Sequence, residues 1–289
     1  MFATDLRVAA SGFRLVTAAS PRCARQMPGT GLLLHSLSQY SAGTRAEVQA
    51  LRAFPTAVAV ADVVPGSPAA QADLRGGDGI AAINGEPLPA SAPPGSGSTA
   101  LRDAAEDRLL ALPPSAPIRL RVRRGEAWLE TVLVPVPTCA TRIEVVAGSA
   151  LKARSDGRII QIGQAFAESL DDEGLAAALA HELAHTVLDH RRQLAPLEQA
   201  APGPALRRQR TALARQFEDE ADLASLDLLR LACWDPAIAP KFLRRTGVRF
   251  DPFLGGSGTH RSARERAARM ERAIPALPAL PDSCRVKPV

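Results

Sequence analysis

Apolar and polar positions divide the chain into three textures. Residues 1–53 carry apolar residues at helical spacing on either side of "MPGTG", which predicts two short helices around a turn. Ser41 or Thr44 is available to cap the second of them. From Phe54 strict alternation takes over: "TAVAVADVV", "GIAAINGEPL" and "PIRLRVRRGEAWLETVLVPV" read as strands. Asn84–Gly85 and Arg124–Gly125 supply hairpin turns within the second and third of these. "PGSPAAQADLRGGD" reads as a turn, a short helix and a turn, "ASAPPGSGST" as a loop, and "ALRDAAEDRLLAL" as an amphipathic helix. After Cys139, "TRIEVVAG" and "GRIIQIGQAF" are strand-like, and helical periodicity follows over 171–192, 206–232, 236–245 and 261–274. The expectation is an α+β chain. It comprises an N-terminal helical segment (1–53), a β-rich domain (54–137), and a mostly helical domain with a small sheet (138–289).

The helix predicted from 171 is apolar nearly all round, through Leu175, Ala178, Leu179, Leu183, Val187 and Leu188, so it belongs in a core. Asp171 or Asp172 can cap it. Of the five histidines in the chain, three lie on or beside it, and buried imidazoles need partners. Four residues turn a helix by about 400°, so His181 and His185 share one face and can grip a single Zn²⁺. Glu182 follows the first ligand and is placed to act as general base on a water at the metal. Zinc would lower that water's pKa from ~15.7 towards ~7 and polarise the scissile carbonyl.

A third ligand is required. His190 lies five residues beyond His185, about 140° round a continuing helix, which favours a helix-end histidine over a ligand. In "QFEDEADLASLDLL", Glu218 and Asp222 share a face. Glu218 as third ligand gives a His₂Glu site with an open position, and Asp222 could hold a ligand imidazole from behind. Glu220, about 200° from Glu218, points to solvent or a salt bridge. Substrate would lie along "GRIIQIG" as an edge strand, and "RRQLAPLEQAAPGPALRR" reads as a loop over the cleft.

Two resemblances attach to these residues. "VVPGSPAAQADLRGGDGIAAINGEPL" resembles the signature of PDZ domains, which implies a PDZ fold over 54–137 and binding of extended peptides. Asp73 stands where that family usually has Gly, and "AFPTAVAV" lacks the glycine expected of a carboxylate-binding loop. "HELAHTVLDHR" with "EDEAD" resembles metallopeptidase family forty-eight, the HtpX and CAAX prenyl protease group of gluzincins, in a form similar to the bacterial minigluzincins. That resemblance covers roughly 140–275 and implies zinc held by His181, His185 and Glu218, with Asp222 behind them. "THRSARER" is similar to a third family motif; His260 would then act at the zinc or on the oxyanion, with Arg266 the other matching residue.

Composition narrows the setting. Aromatic residues are 4%, so the core must be aliphatic and rich in Ala. The net charge of +5 is a weak excess carried by runs such as "SARERAARMER", without any nucleic-acid-binding module, so nucleic acid is not an expected partner. No run reaches the roughly 18 apolar residues of a membrane helix. Arg7 and Arg14 interrupt any signal-peptide core at the N-terminus. Cys23, Cys139, Cys233 and Cys284 form no CxxC. They fit two disulfides, Cys23 with Cys139 and Cys233 with Cys284, in an oxidising compartment, or else four buried thiols. The reading is a zinc-dependent metalloendopeptidase acting on protein or peptide substrates in extended form. It would be periplasmic or otherwise exported, in cell-envelope quality control, with a cytoplasmic location as the alternative. The rival function is a PDZ-based peptide-binding or chaperone-like protein with a latent zinc site.

Overall fold

The computed structural model describes residues 2–90, 97–199, 203–254 and 261–284. Contacts divide the chain into two compact units: Ala3–Ala24 with Thr141–Val289, and Arg25–Ala140. The expected independent segment 1–53 is therefore absent. Its first half joins the C-terminal unit and its second half joins the β-rich one. Instead of two short helices around "MPGTG", a single helix α1 (Phe2–Ala18) precedes a strand β1 (Gln26–Gly29). α1 buries Val8, Leu15 and Val16, and its bare Gly12 admits the Ile143 side chain against the helix.

The β-rich unit continues with β2 (Leu32–Ser36), α2 (Ala42–Leu51), β3 (Val58–Val63), α3 (Pro68–Gln71), β4 (Gly79–Ile83) and β5 (Glu86–Pro87). α4 (Ala100–Leu110), β6 (Ile118–Arg124), β7 (Ala127–Leu133) and β8 (Val136–Cys139) complete it. The main sheet has the order β2-β3-β4-β6-β7, with β5 paired to β4, while β1 and β8 form a separate antiparallel pair. The domain thus starts well before Phe54. The short run "LLLHS" is ambiguous between helix and strand, and pairing with β3, from Leu32↔Val63 to Ser36↔Val58, decides it. Inward residues of the sheet (Val58, Val60, Ile80, Ile83, Ile118, Leu120, Val122) pack with Leu101, Ala105 and Leu109 of α4.

Local chemistry fixes the turns. Asn84 (φ 51) and Gly85 (φ 83) give the doubly left-handed hairpin between β4 and β5. Asp73 adopts φ 56, a conformation glycine takes freely and Asp tolerates better than most residues. Its carboxylate is held by the side chains of Arg75 and Arg124. Buried Asp78 accepts from the Arg75 backbone N–H and from both arms of the Arg124 fork, locking the turn before β4.

The other unit carries β9 (Arg142–Val146), β10 (Ala153–Ser155), β11 (Ile159–Gly163), α5 (Gln164–Ser169), α6 (Asp172–Val187), α7 (His190–Gln199), α8 (Pro204–Leu231), α9 (Ile238–Leu254) and α10 (Ala263–Ala273). Its sheet has the order β10-β11-β9, so β11, the "IIQIG" strand, is central and not the expected edge. Ile160 and Ile162 share one face and are fully buried, while Ile159 and Gln161 on the opposite face are half-buried. The edge beside it is β10, antiparallel to β11 through Ala153↔Ile162. The expected cleft loop at 191–208 is also largely helical, with α7 containing Pro196 and α8 opening on Pro204.

α6 is the centre of the unit. Asp171 caps it, accepting from the Gly174 N–H at 2.8 Å, and is itself gripped by both arms of Arg245. Leu175, Ala176, Leu179, Ala180, Leu183 and Ala184 are all buried, the small residues allowing close approach of α8 and α9. Cys233 and Cys284 are joined by a disulfide across a separation of 51 residues. None of the four cysteines is a free thiol, which is the state of cysteines in an oxidising compartment. No described helix is long and apolar enough to cross a membrane.

Candidate metal centre

His181 and His185 project from one face of α6, and Glu218 meets them from α8. His181 Nε2 lies 3.3 Å from His185 Nε2 and 3.2 Å from Glu218 Oε2. His185 Nε2 lies 3.6 Å from Glu218 Oε1. Two bonds of 2.0–2.1 Å at a tetrahedral angle set ligand atoms about 3.3 Å apart, so this triangle has the dimensions of one face of a zinc coordination shell. Two imidazole nitrogens and one carboxylate oxygen are also a donor set that suits zinc. Among the described residues of this unit, these three form the cluster able to hold a metal ion.

The expected third-ligand helix delivers its second acid as well. Asp222 Oδ1 stands 3.2 Å from His181 Nδ1, on the side of the ring away from the triangle. Asp222 is buried and also accepts two hydrogen bonds from the Arg266 fork of α10, at 2.7 and 2.8 Å. Burial opposes the carboxylate's charge, but Arg266 and then His181 outweigh it and hold its pKa down to about 2. Burial likewise opposes charge on His181, yet the adjacent carboxylates of Asp222 and Glu218 raise its pKa to about 10 in the metal-free chain. His185 behaves oppositely: burial, reinforced by the neighbouring charge on His181, pushes it down to about 3.

Glu182 is half-buried and lines the same cavity as the triangle, a space of about 430 Å³. Ala153, Arg154 and Ser155 of β10 form one wall, with Phe166, Phe242 and Leu243 among the apolar lining. His260 falls outside the described residues, so its expected role has no geometry here. Arg266, noted in the sequence only as a motif match, is placed on Asp222.

His190 departs from its expected place. α6 ends at Val187, Asp189 turns left-handed (φ 53), and His190 opens α7. The continuing-helix angle therefore does not apply, and the ring turns back to His185, with Nδ1 2.9 Å from His185 Nδ1. It is buried and stacked on Phe217, 4.1 Å between ring centroids and 8° between planes. Its Nε2 faces Glu220 Oε2 at 3.1 Å, giving that acid a partner other than solvent. Burial lowers the pKa of His190, against the opposing pull of Glu220. The available signal for this arrangement was the Asp immediately before His190, a residue that tolerates left-handed backbone.

Comparison with known proteins bears on the β-rich unit. The PDZ-domain family model matches residues 37–92, so a PDZ domain is present. The chain is similar to the crystal structure of the HtrA3 PDZ domain bound to a phage-derived ligand (FGRWV), at 22% identity over 39% of this chain and 90% of that one, with a TM-score of 0.29. No curated protein matches the chain. In the sheet, β2 is a terminal strand with α4 packed beside it, and Gly31 (φ 75) makes the turn into β2. A Cβ there would collide with Ser67, so glycine is required.

Proposed function

We propose that the chain is a zinc-dependent endopeptidase of the gluzincin type, allied to metallopeptidase family forty-eight, joined to a PDZ domain that engages extended peptide. The observation that carries the reading is the 3.2–3.6 Å triangle of His181, His185 and Glu218 opening into the cavity that Glu182 also lines. Bound zinc would supply Lewis acidity towards the scissile carbonyl and towards water. Glu182 would take a proton from the attacking water at its carboxylate and return it to the departing amine. Asp222 would fix His181 with its proton on Nδ1, and Arg266 would keep Asp222 ionised and in place. The β10 edge would align an extended substrate along the cavity wall by backbone pairing, and β2 beside α4 would receive a second extended segment in the PDZ domain. The four oxidised cysteines favour an exported location, and envelope protein quality control is the role that suits a peptidase of this build.

The test is proteolysis of an unfolded protein such as casein by the zinc-loaded chain, compared with Glu182→Gln. The variant should bind zinc as wild type does while losing roughly 10²–10⁴-fold in rate. A chelator should stop the wild type. Equal, chelator-insensitive cleavage by both proteins would refute the reading. Zinc binding without cleavage in either would favour the PDZ-based binding protein with a latent site.

A further inference from the structure

We propose that His190 and Glu220 form an outer dyad that positions the metal ligand His185, resting on the zinc-site reading above. His185 Nε2 faces His181 and Glu218, so a His185 that gives Nε2 to a metal carries its proton on Nδ1. That Nδ1–H points at His190 Nδ1 across 2.9 Å, and one of two facing nitrogens must accept. His190 then carries its own proton on Nε2, where Glu220 Oε2 accepts it at 3.1 Å. Gln216 Nε2 donates to the other oxygen of Glu220 at 2.7 Å and holds the acid in place. Every donor meets an acceptor in one direction only, from His185 through His190 to Glu220. Phe217, next in sequence to the ligand Glu218, stacks flat on His190 and fixes the plane of its ring. The two zinc-binding imidazoles are thus backed differently: His181 by a carboxylate directly, His185 by an imidazole relayed to a carboxylate.

The experiment measures zinc affinity of the full chain by chelator competition, with thermal unfolding of the metal-free proteins as the folding control. His190→Phe keeps the stack on Phe217 and removes the acceptor; it should weaken zinc binding by roughly 10–100-fold. His190→Asn restores an acceptor and should recover most of that loss. Glu220→Ala, at a partly exposed acid, should weaken binding by a smaller but measurable factor, and it carries the test if His190→Phe fails to fold. In the Co²⁺-loaded chain the d–d bands should shift in His190→Phe and return in His190→Asn. Nitrogen-15 spectra of the zinc-loaded wild type should place the His190 proton on Nε2. Wild-type affinity in both His190→Phe and Glu220→Ala, equal losses in Phe and Asn, or a proton on His190 Nδ1 would each overturn the role of the dyad. A wild-type chain that binds no zinc would refute the zinc site itself, an outcome distinct from any of these.

Discussion

Loading the site with zinc should release about one proton per ion in mildly acidic solution, and that proton should come from His181. In the metal-free chain its ring lies between two carboxylates, Glu218 at Nε2 and Asp222 at Nδ1, each 3.2 Å away. Burial opposes the charge, but those acids hold the pKa up at about 10, whereas burial and the His181 charge push His185 down to about 3. A metal needs a free lone pair on each Nε2, so at pH 6 His181 must lose a proton and His185 need not. Protons compete with the metal wherever the pH is below the higher value. Apparent affinity should therefore rise tenfold per pH unit up to about 7, where ionisation of a water on the metal would steepen the dependence. From pH 6 to pH 5 the competing proton alone should weaken zinc binding tenfold, about 1.4 kcal/mol. The assay is calorimetric titration of zinc between pH 5 and 6.5 in buffers of differing ionisation enthalpy, below the range near 7 where a water on the metal would itself ionise. One proton per zinc is the expected slope. Release of none or of two, or an affinity independent of pH, would refute the assignment of the charge to His181 alone.

Two further outcomes concern stability. Replacing Cys233 and Cys284 by Ala opens a link spanning 51 residues. By loop-closure entropy this should cost about 4 kcal/mol in denaturant unfolding, and unchanged stability would refute it. His35 is buried against Phe54 with Nδ1 3.1 Å from the Tyr40 hydroxyl, and burial, aided by Arg52, pushes its pKa down to about 4 from 6.5. Folding favours its neutral form, so the contribution is complete above pH 6.5 and is lost as the pH falls through 4. Between pH 7 and 5 the loss should be about 2 kcal/mol. His35→Gln should remove that component in urea titrations at the two pH values, and identical pH slopes in wild type and variant would refute it.

What the sequence disclosed of the candidate site is what helix geometry alone determines. His181 with His185, and Glu218 with Asp222, are pairs four residues apart, and such pairs share a face whatever surrounds the helix. What it hid depended on where an element stops. "HTVLDHRR" has no glycine after the helix, so the stronger stop signal is missing; Asp189, which only tolerates the left-handed turn it adopts, ends the helix in its place and sends His190 back to His185. The same limit hid β2, because five residues of "LLLHS" fit either period until β3 pairs with them, and it misplaced the sheet edge, because an apolar run such as "IIQIG" does not say which neighbour lies outside it. In each case the pattern reports the side chains of one element, while the missing fact was a partner brought in from another. His190 shows the consequence for chemistry. Read on α6 it is a helix end; read after the turn it stands between His185 and an acid thirty residues on. Its worth is therefore a property of the turn at Asp189 as much as of the imidazole.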